Sequence, residues 1–494
     1  MSKVPDLCEL TLADASRALN SGDVSTRELS SAYLDRIERL DHHVNAVIEI
    51  NPDALDLART LDDERGRGET RGPLHGIPIL LKDNIDTGDR MSTTAGSLAL
   101  AGSIAPEDAF VVKRLRQAGA LILGKTNLSE WANMRSSRST TGWSSRGGQT
   151  ANAFDPTRSP GGSSAGSGVA VAMGMCAAAL GTETDGSVVI PASMNSLVGI
   201  KPTVGLVSRT GIIPISHTQD TAGPIARTVE DAALTLSAMI GLDLQDTRAI
   251  DAGALSNALS VLEPTALRGT RVGVDRTLGG ANEGVDAIID QAIAALRDCG
   301  AEIVDGLELR AHKEVASYED LVFYYELKAG LNAYLKRLAP HSPMRTIDDL
   351  IDFNTANAER TMPHFGQEHF IAAQATGSLQ NPDYLKALSI CKAMAGRDGI
   401  DAALAEHRLD VLFAATIGPA WPIDLVNSDQ RSPCSSTPAA VAGYPHITVP
   451  GGFVDGLPVG VSFYAGHLSD ARVIQYAYAF EQQTQARRVP PLAR

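Results

Sequence analysis

Residues 159–187 read Ser159-Pro160-Gly161-Gly162-Ser163-Ser164-Ala165-Gly166-Ser167-Gly168, then VAVAMGMCAAAL from Val169 to Leu180, then Gly181-Thr182-Glu183-Thr184-Asp185-Gly186-Ser187. By composition alone, the Gly/Ser-rich stretch from Ser136 to Ser167 is a flexible linker. Its flanks argue otherwise. A linker does not alternate with a long apolar run, and Val169–Leu180 is too short for the ~20 residues that span a bilayer. The run is expected to form a buried helix. Two clusters of small residues around one buried segment describe backbone arranged to approach a ligand closely.

Outward from this stretch the pattern is α/β. Ala120–Gly124 is an apolar run suited to a buried strand. Ser25 with Glu28 forms a capping box before a helix that sets Leu29, Tyr33, Ile37 and Leu40 on one face. Thr228 with Asp231 resembles a second box. Arg271–Val274 reads as a strand, Val285–Leu296 as a helix and Ala301–Val304 as a strand, which together suggest a right-handed crossover. Strands recur at Val411–Ala414, Ile447–Val449 and Val459–Phe463, and a helix is expected from Asp470 to Gln485. The segment 311–408 is mostly helical and polar and reads as an insertion over the core. No repeat or proline-rich linker divides the chain, so one large domain over 1–494 is expected.

The chain has 494 residues, 44% hydrophobic and 20% charged, with a net charge of −15. That excess of acid argues against nucleic acid or an anionic membrane surface as a partner. Five scattered cysteines with no C-x-x-C pair suit neither a disulfide framework nor a zinc ribbon. With no signal-like N-terminus, they predict a reduced, cytoplasmic protein. Glycine is in surplus, at 45 residues against about 35 expected from average usage.

Several chemistries compete for the glycine clusters. A P-loop requires Gly-Lys-Ser/Thr after the glycines, and none follows. Gly162, Gly166 and Gly168 have the wrong spacing for a dinucleotide fingerprint. Gly162-Ser163-Ser164-Ala165-Gly166 is literally a G-x-S-x-G elbow, which would make Ser164 an esterase nucleophile. That elbow needs a strand directly before it, and the Pro- and Asn-rich residues 152–160 do not supply one. His364–His369 misses the H-x-x-E-H pattern by one residue, and His42-His43 are expected to face solvent, so no metal site is expected.

A lysine about 80 residues upstream completes a known constellation. Gly76-Ile77-Pro78-Ile79-Leu80-Leu81-Lys82-Asp83-Asn84, the Ser159–Ser164 cluster and the Gly181–Ser187 cluster together resemble the amidase signature family in order, spacing and flanks. Gly124–Asn127, Gly148–Thr150 and Gly199–Gly205 are similar to further landmarks. The tail around Gly418–Pro422 and Ala442–His446 resembles the peptide-amidase-like bacterial branch. The resemblance implies a single α/β domain with a mixed sheet covered by helices, its signature core at about 76–223.

It also implies a chemistry. Ser187 is the nucleophile, Ser163 (in a cis peptide in the family) relays its proton, and Lys82 is the terminal base and acid. Backbone N–H groups of Thr184, Asp185, Gly186 and Ser187 form the oxyanion hole, with Gly162 and Ser164 in support. A lysine base must be neutral, so burial has to lower its pKa by several units from ~10.4. Lys125 and Lys201 are expected to snorkel to the surface or support loops. Asp185 stands where many relatives have glycine, and is expected to stabilise the turn rather than repel anions.

Carboxylate-recognising relatives often carry an arginine where this chain has Val189 and Ile190. A neutral, partly apolar amide is therefore expected as substrate: a C-terminal peptide amide, an amino-acid amide or an aryl acylamide. No cofactor is implied, and a homodimer is left open. The catalytic subunit of a tRNA-dependent amidotransferase shares this signature and is the alternative reading.

Overall fold

The computed structural model describes residues 6–253, 255, 259, 261–309, 315–338 and 342–493. Among the described residues thirteen strands are formed: β1 (Val47–Ile50), β2 (Pro78–Lys82), β3 (Leu121–Thr126), β4 (Trp143–Ser144), β5 (Gly148–Gln149), β6 (Ala178–Glu183), β7 (Val198–Lys201), β8 (Thr221–Ala226), β9 (Arg271–Asp275), β10 (Glu302–Leu307), β11 (Val411–Ala415), β12 (His446–Val454) and β13 (Leu457–Tyr464). Eleven of them form one sheet in the order β1-β3-β2-β6-β8-β7-β12-β13-β11-β9-β10, and β4 pairs with β5 alone. The sheet is mixed. Strands β3, β2 and β6 run parallel, while β8, β7, β12 and β13 pair antiparallel.

The expected elements have physical counterparts. The Ser25–Glu28 box closes reciprocally at the start of the helix Thr26–Val44. At Thr228 the box is half made, because the Asp231 carboxylate turns away to accept from the Ala13 N–H at 3.1 Å. The expected strand–helix–strand order is formed, with the helix Glu283–Asp298 connecting β9 to its parallel neighbour β10. In the proposed insertion, the helices Ala316–Leu338, Ile347–Ala356 and Pro382–Lys392 bury apolar clusters that they share with Leu100, Trp131 and Ile213 and with Val441. Residues 311–314 and 339–341 of that segment lie outside the described residues. Among the described residues no helix is long and apolar enough to cross a membrane.

One expectation fails at the centre of the molecule. The apolar run Val169–Leu180 is not one helix. The helix Ala165–Ala172 stops, and the chain turns and re-enters the sheet as β6 from Ala178. Every residue in the run is buried whichever element it joins, so periodicity cannot tell helix from strand there. Gly174 makes the break. Its φ of +69° is left-handed, and a Cβ there would lie 3.0 Å from the Cys8 carbonyl oxygen and 3.1 Å from Arg36 Nε. The helix then packs back across β2, β3, β6 and β8.

This break sends β6 alongside β2, in register at Leu81 and Leu180. Parallel neighbours end on the same edge of the sheet, and at that edge open α/β folds bind ligands. Gly174→Ala is expected to destabilise the protein by about 1–3 kcal/mol through left-handed strain and the crowded carbonyl. The measurement is the urea unfolding midpoint; an unchanged midpoint would contradict this account of the break.

Candidate active site

Lys82 is the last residue of β2 and is fully buried. The preceding Ile79, Leu80 and Leu81 are also fully buried, so the strand carries its lysine into the sheet edge without solvent around it. Three oxygens meet its amine: Ser163 Oγ at 2.8 Å, Thr182 Oγ1 at 2.9 Å and the Thr182 carbonyl at 3.2 Å. Burial lowers the Lys82 pKa to about 7, against the opposing pull of Asp220 and Glu183. A neutral amine that donates its two N–H groups to Thr182 has its lone pair left for the Ser163 hydroxyl. That is the geometry of a proton acceptor for serine.

Ser163 sits in the turn before the helix Ala165–Ala172, and the Gly162–Ser163 peptide bond is cis. Its carbonyl accepts from the Ser129 N–H at 3.1 Å. Ser187 lies between β6 and the helix Val189–Met194 and is half-buried. The Ser164 N–H donates to the Ser187 carbonyl at 3.2 Å, which ties the two serine segments together. The Ser187 hydroxyl makes no direct hydrogen bond among the described residues. It opens instead on a cavity of about 430 Å³ that Gly162, Thr184 and Asp185 also line.

The turn between Glu183 and Ser187 is held from below and from the side. The buried Glu183 carboxylate accepts from the Val188 and Val189 N–H groups at 2.7 and 3.0 Å. Gly186 has φ +78°, and a Cβ there would meet Ile190 Cδ1 at 2.5 Å. The N–H groups of Thr184, Gly186 and Ser187 then donate to no protein acceptor among the described residues, as anion-binding amides must. Asp185 accepts from Thr437 Oγ1 at 2.6 Å and from Ser436 Oγ. Its carboxylate therefore anchors the turn to the helix Ser436–Ala442 while also facing the cavity.

Ser164 has a different environment. It is buried, donates to the Thr182 carbonyl and accepts from the Thr182 N–H, both at 3.2 Å. Residues 151–163 form no strand beyond an isolated bridge at Arg158. The elbow required for a Ser164 nucleophile is absent. Lys125 and Lys201 do not snorkel; both are fully buried. Lys125 donates to the Ile85 carbonyl and to Thr93 Oγ1, and Lys201 to the Pro202 carbonyl, so both brace loops behind the site.

Sequence reading did not single out Thr182, Asn84 or the far cavity wall. Thr182 is the hub, receiving Lys82 and, at 3.0 Å, Asn84 Nδ2. The motif contains both residues but gives no sign of the contact. The far wall includes Asp320, Phe323, His369 and Arg431, drawn from segments with no motif, together with Trp421 of the Gly418–Pro422 stretch. His42 and His43 are exposed, as expected.

Comparison with known proteins gives the same picture. Residues 28–474 match the Amidase family. The structure superposes on the peptide amidase from Stenotrophomonas maltophilia with a TM-score of 0.93 at 49% identity, covering 98% of each chain. A probable amidase of Arabidopsis thaliana is 40% identical over 99% of this chain and 93% of its own length. A glutamyl-tRNA(Gln) amidotransferase chain of Moorella thermoacetica is 35% identical, over 98% of this chain and 99% of its own. By sequence and by fold, this chain belongs to the amidase family and is an amide-cleaving hydrolase.

Proposed function

We propose that this amidase cleaves a neutral, partly apolar carboxamide (a C-terminal peptide amide, an amino-acid amide or an aryl acylamide) through an acyl-enzyme on Ser187. The reading rests above all on the 2.8 Å contact between the buried Lys82 amine and Ser163 Oγ. Ser187 Oγ attacks the carboxamide carbon and gives its proton to Ser163, whose own proton passes to Lys82. The oxyanion is received by backbone N–H groups of Thr184–Ser187. Collapse returns the proton from Lys82 through Ser163 to the leaving nitrogen, and water releases the acyl group by the same relay. Ser187 meets Ser163 when substrate fills the cavity, since catalytic hydrogen bonds are often unmade in the free enzyme. No cofactor or metal enters these steps.

The cavity supports the substrate class. Ile190, Ile215, Phe323 and Trp421 give it apolar surface. Its charged lining among the described residues is Asp185, Asp320, Asp429 and Arg431, and Arg431 contacts Asp429 at 3.3 Å. A carboxylate substrate would meet more negative than free positive charge. The greater identity to a peptide amidase favours an independent enzyme over a component of an amidotransferase. Five free cysteines favour a cytoplasmic setting.

Ser187→Ala and Lys82→Met are each expected to lower kcat by at least about 10³-fold with the fold intact by circular dichroism. Ser164→Ala is expected to stay within about tenfold of wild type; a dead Ser164→Ala beside an active Ser187→Ala would replace this reading with the elbow. Activity found only with partner subunits would support the amidotransferase. Because Lys82 must be neutral to accept a proton, kcat/KM is expected to rise with pH and reach half its plateau near pH 7, the Lys82 value of about 7. A half-rise near pH 10 would contradict a desolvated base. Among peptide amides, anilides and amides that carry a free carboxylate, the last are expected to be poorest by roughly tenfold or more.

A further inference from the structure

Thr184 is gripped at both of its other polar groups. Its hydroxyl donates to Asp220 Oδ1 at 2.6 Å, and its carbonyl accepts from Gln219 Nε2 at 3.3 Å. Asp220 is delivered there by sheet register, since Glu183 of β6 lies opposite Thr221, the first residue of β8. Its second oxygen accepts from the Ile215 and Ser216 N–H groups at 2.8 and 2.9 Å. The loop 215–220 is itself clamped from the helix Ala316–Leu338. Gln219 donates also to Glu319 Oε1 at 2.8 Å, while Glu326 accepts from Thr218 Oγ1 at 3.0 Å and from Ser216 Oγ. Every one of these side chains is buried.

With hydroxyl and carbonyl both occupied, the N–H is the one polar group of Thr184 free to point at developing charge. We propose that Asp220 and Gln219 are positioning residues of this amidase, fixing the oxyanion turn by holding Thr184 from the start of β8. The proposal rests on the reading of Ser187 as nucleophile. Asp220 also faces the proton acceptor. Lys82 lies in the field of Asp220 and Glu183, Asp220 in that of Arg209, and Glu183 in that of Lys201 and Asp185. A carboxylate at 220 stabilises the protonated amine, so its removal makes Lys82 easier to deprotonate.

The test is kinetics on a neutral peptide amide with Asp220→Asn, Thr184→Val and Ser187→Ala. Asp220→Asn is expected to lower kcat roughly 10- to 100-fold with KM within about threefold, as for a displaced oxyanion donor. It is also expected to move the acid limb of kcat/KM to lower pH, a shift that mere loosening of the fold does not produce. Thr184→Val removes the hydroxyl but keeps the carboxylate, and should lower kcat with the limb nearly unmoved. A folded Asp220→Asn with wild-type kcat and an unmoved limb would overturn the proposal. If Asp220→Asn does not fold, a wild-type kcat in Thr184→Val overturns it instead. A dead Ser187→Ala beside these unaffected variants sinks this proposal alone, whereas an active Ser187→Ala sinks the reading beneath it.

Discussion

The burial of one amine organises this molecule. Placing Lys82 at the end of a wholly buried strand costs several kcal/mol if it stays charged, and that cost lowers its pKa to about 7. Once neutral, the amine would make contacts of two kinds, donating to Thr182 and accepting from the Ser163 hydroxyl 2.8 Å away. The sheet follows from the same need. Strands β2 and β6 must run parallel and adjacent for Lys82 and Thr182 to meet, and the turn at Gly174 sends the chain back to make them so.

The rest of the site is built on backbone. The Glu183 carboxylate consumes the two N–H groups just past Ser187, and Asp185 is tethered to Ser436 and Thr437. Those contacts leave the N–H groups of Thr184, Gly186 and Ser187 without partners among the described residues, ready for an anion. The glycine surplus belongs here as much as in loops. At Gly186 a side chain would collide with Ile190 and the backbone would leave its left-handed conformation. Preorganised donors of this kind do their work without reorganising during the reaction.

How much was legible in the sequence differs by scale. The motif residues were legible because Lys82, Ser163 and Ser187 sit in short segments whose local order is the signal. Amphipathic elements such as Thr26–Val44 and Glu283–Asp298 were legible because one face is polar. The run Val169–Leu180 was not, since full burial on all sides erases periodicity and only the left-handed Gly174 separates helix from strand. Of the two roles expected for Lys125 and Lys201, loop support holds and snorkelling does not. A lysine after an apolar run usually reaches water, and here backbone carbonyls take water's place. The cavity wall stayed hidden because Asp320, His369 and Arg431 are joined only by the tertiary fold.

The central claim is that a neutral Lys82 activates Ser187 through Ser163. Its most direct measurement is mass spectrometry of the protein after reaction with a fluorophosphonate, with the labelled peptide sequenced. The account predicts a single adduct on Ser187 in the wild-type protein, lost in Lys82→Met and formed more slowly as the pH falls below the Lys82 value of about 7. Labelling of Ser164, or unchanged labelling of Ser187 in Lys82→Met, would contradict it.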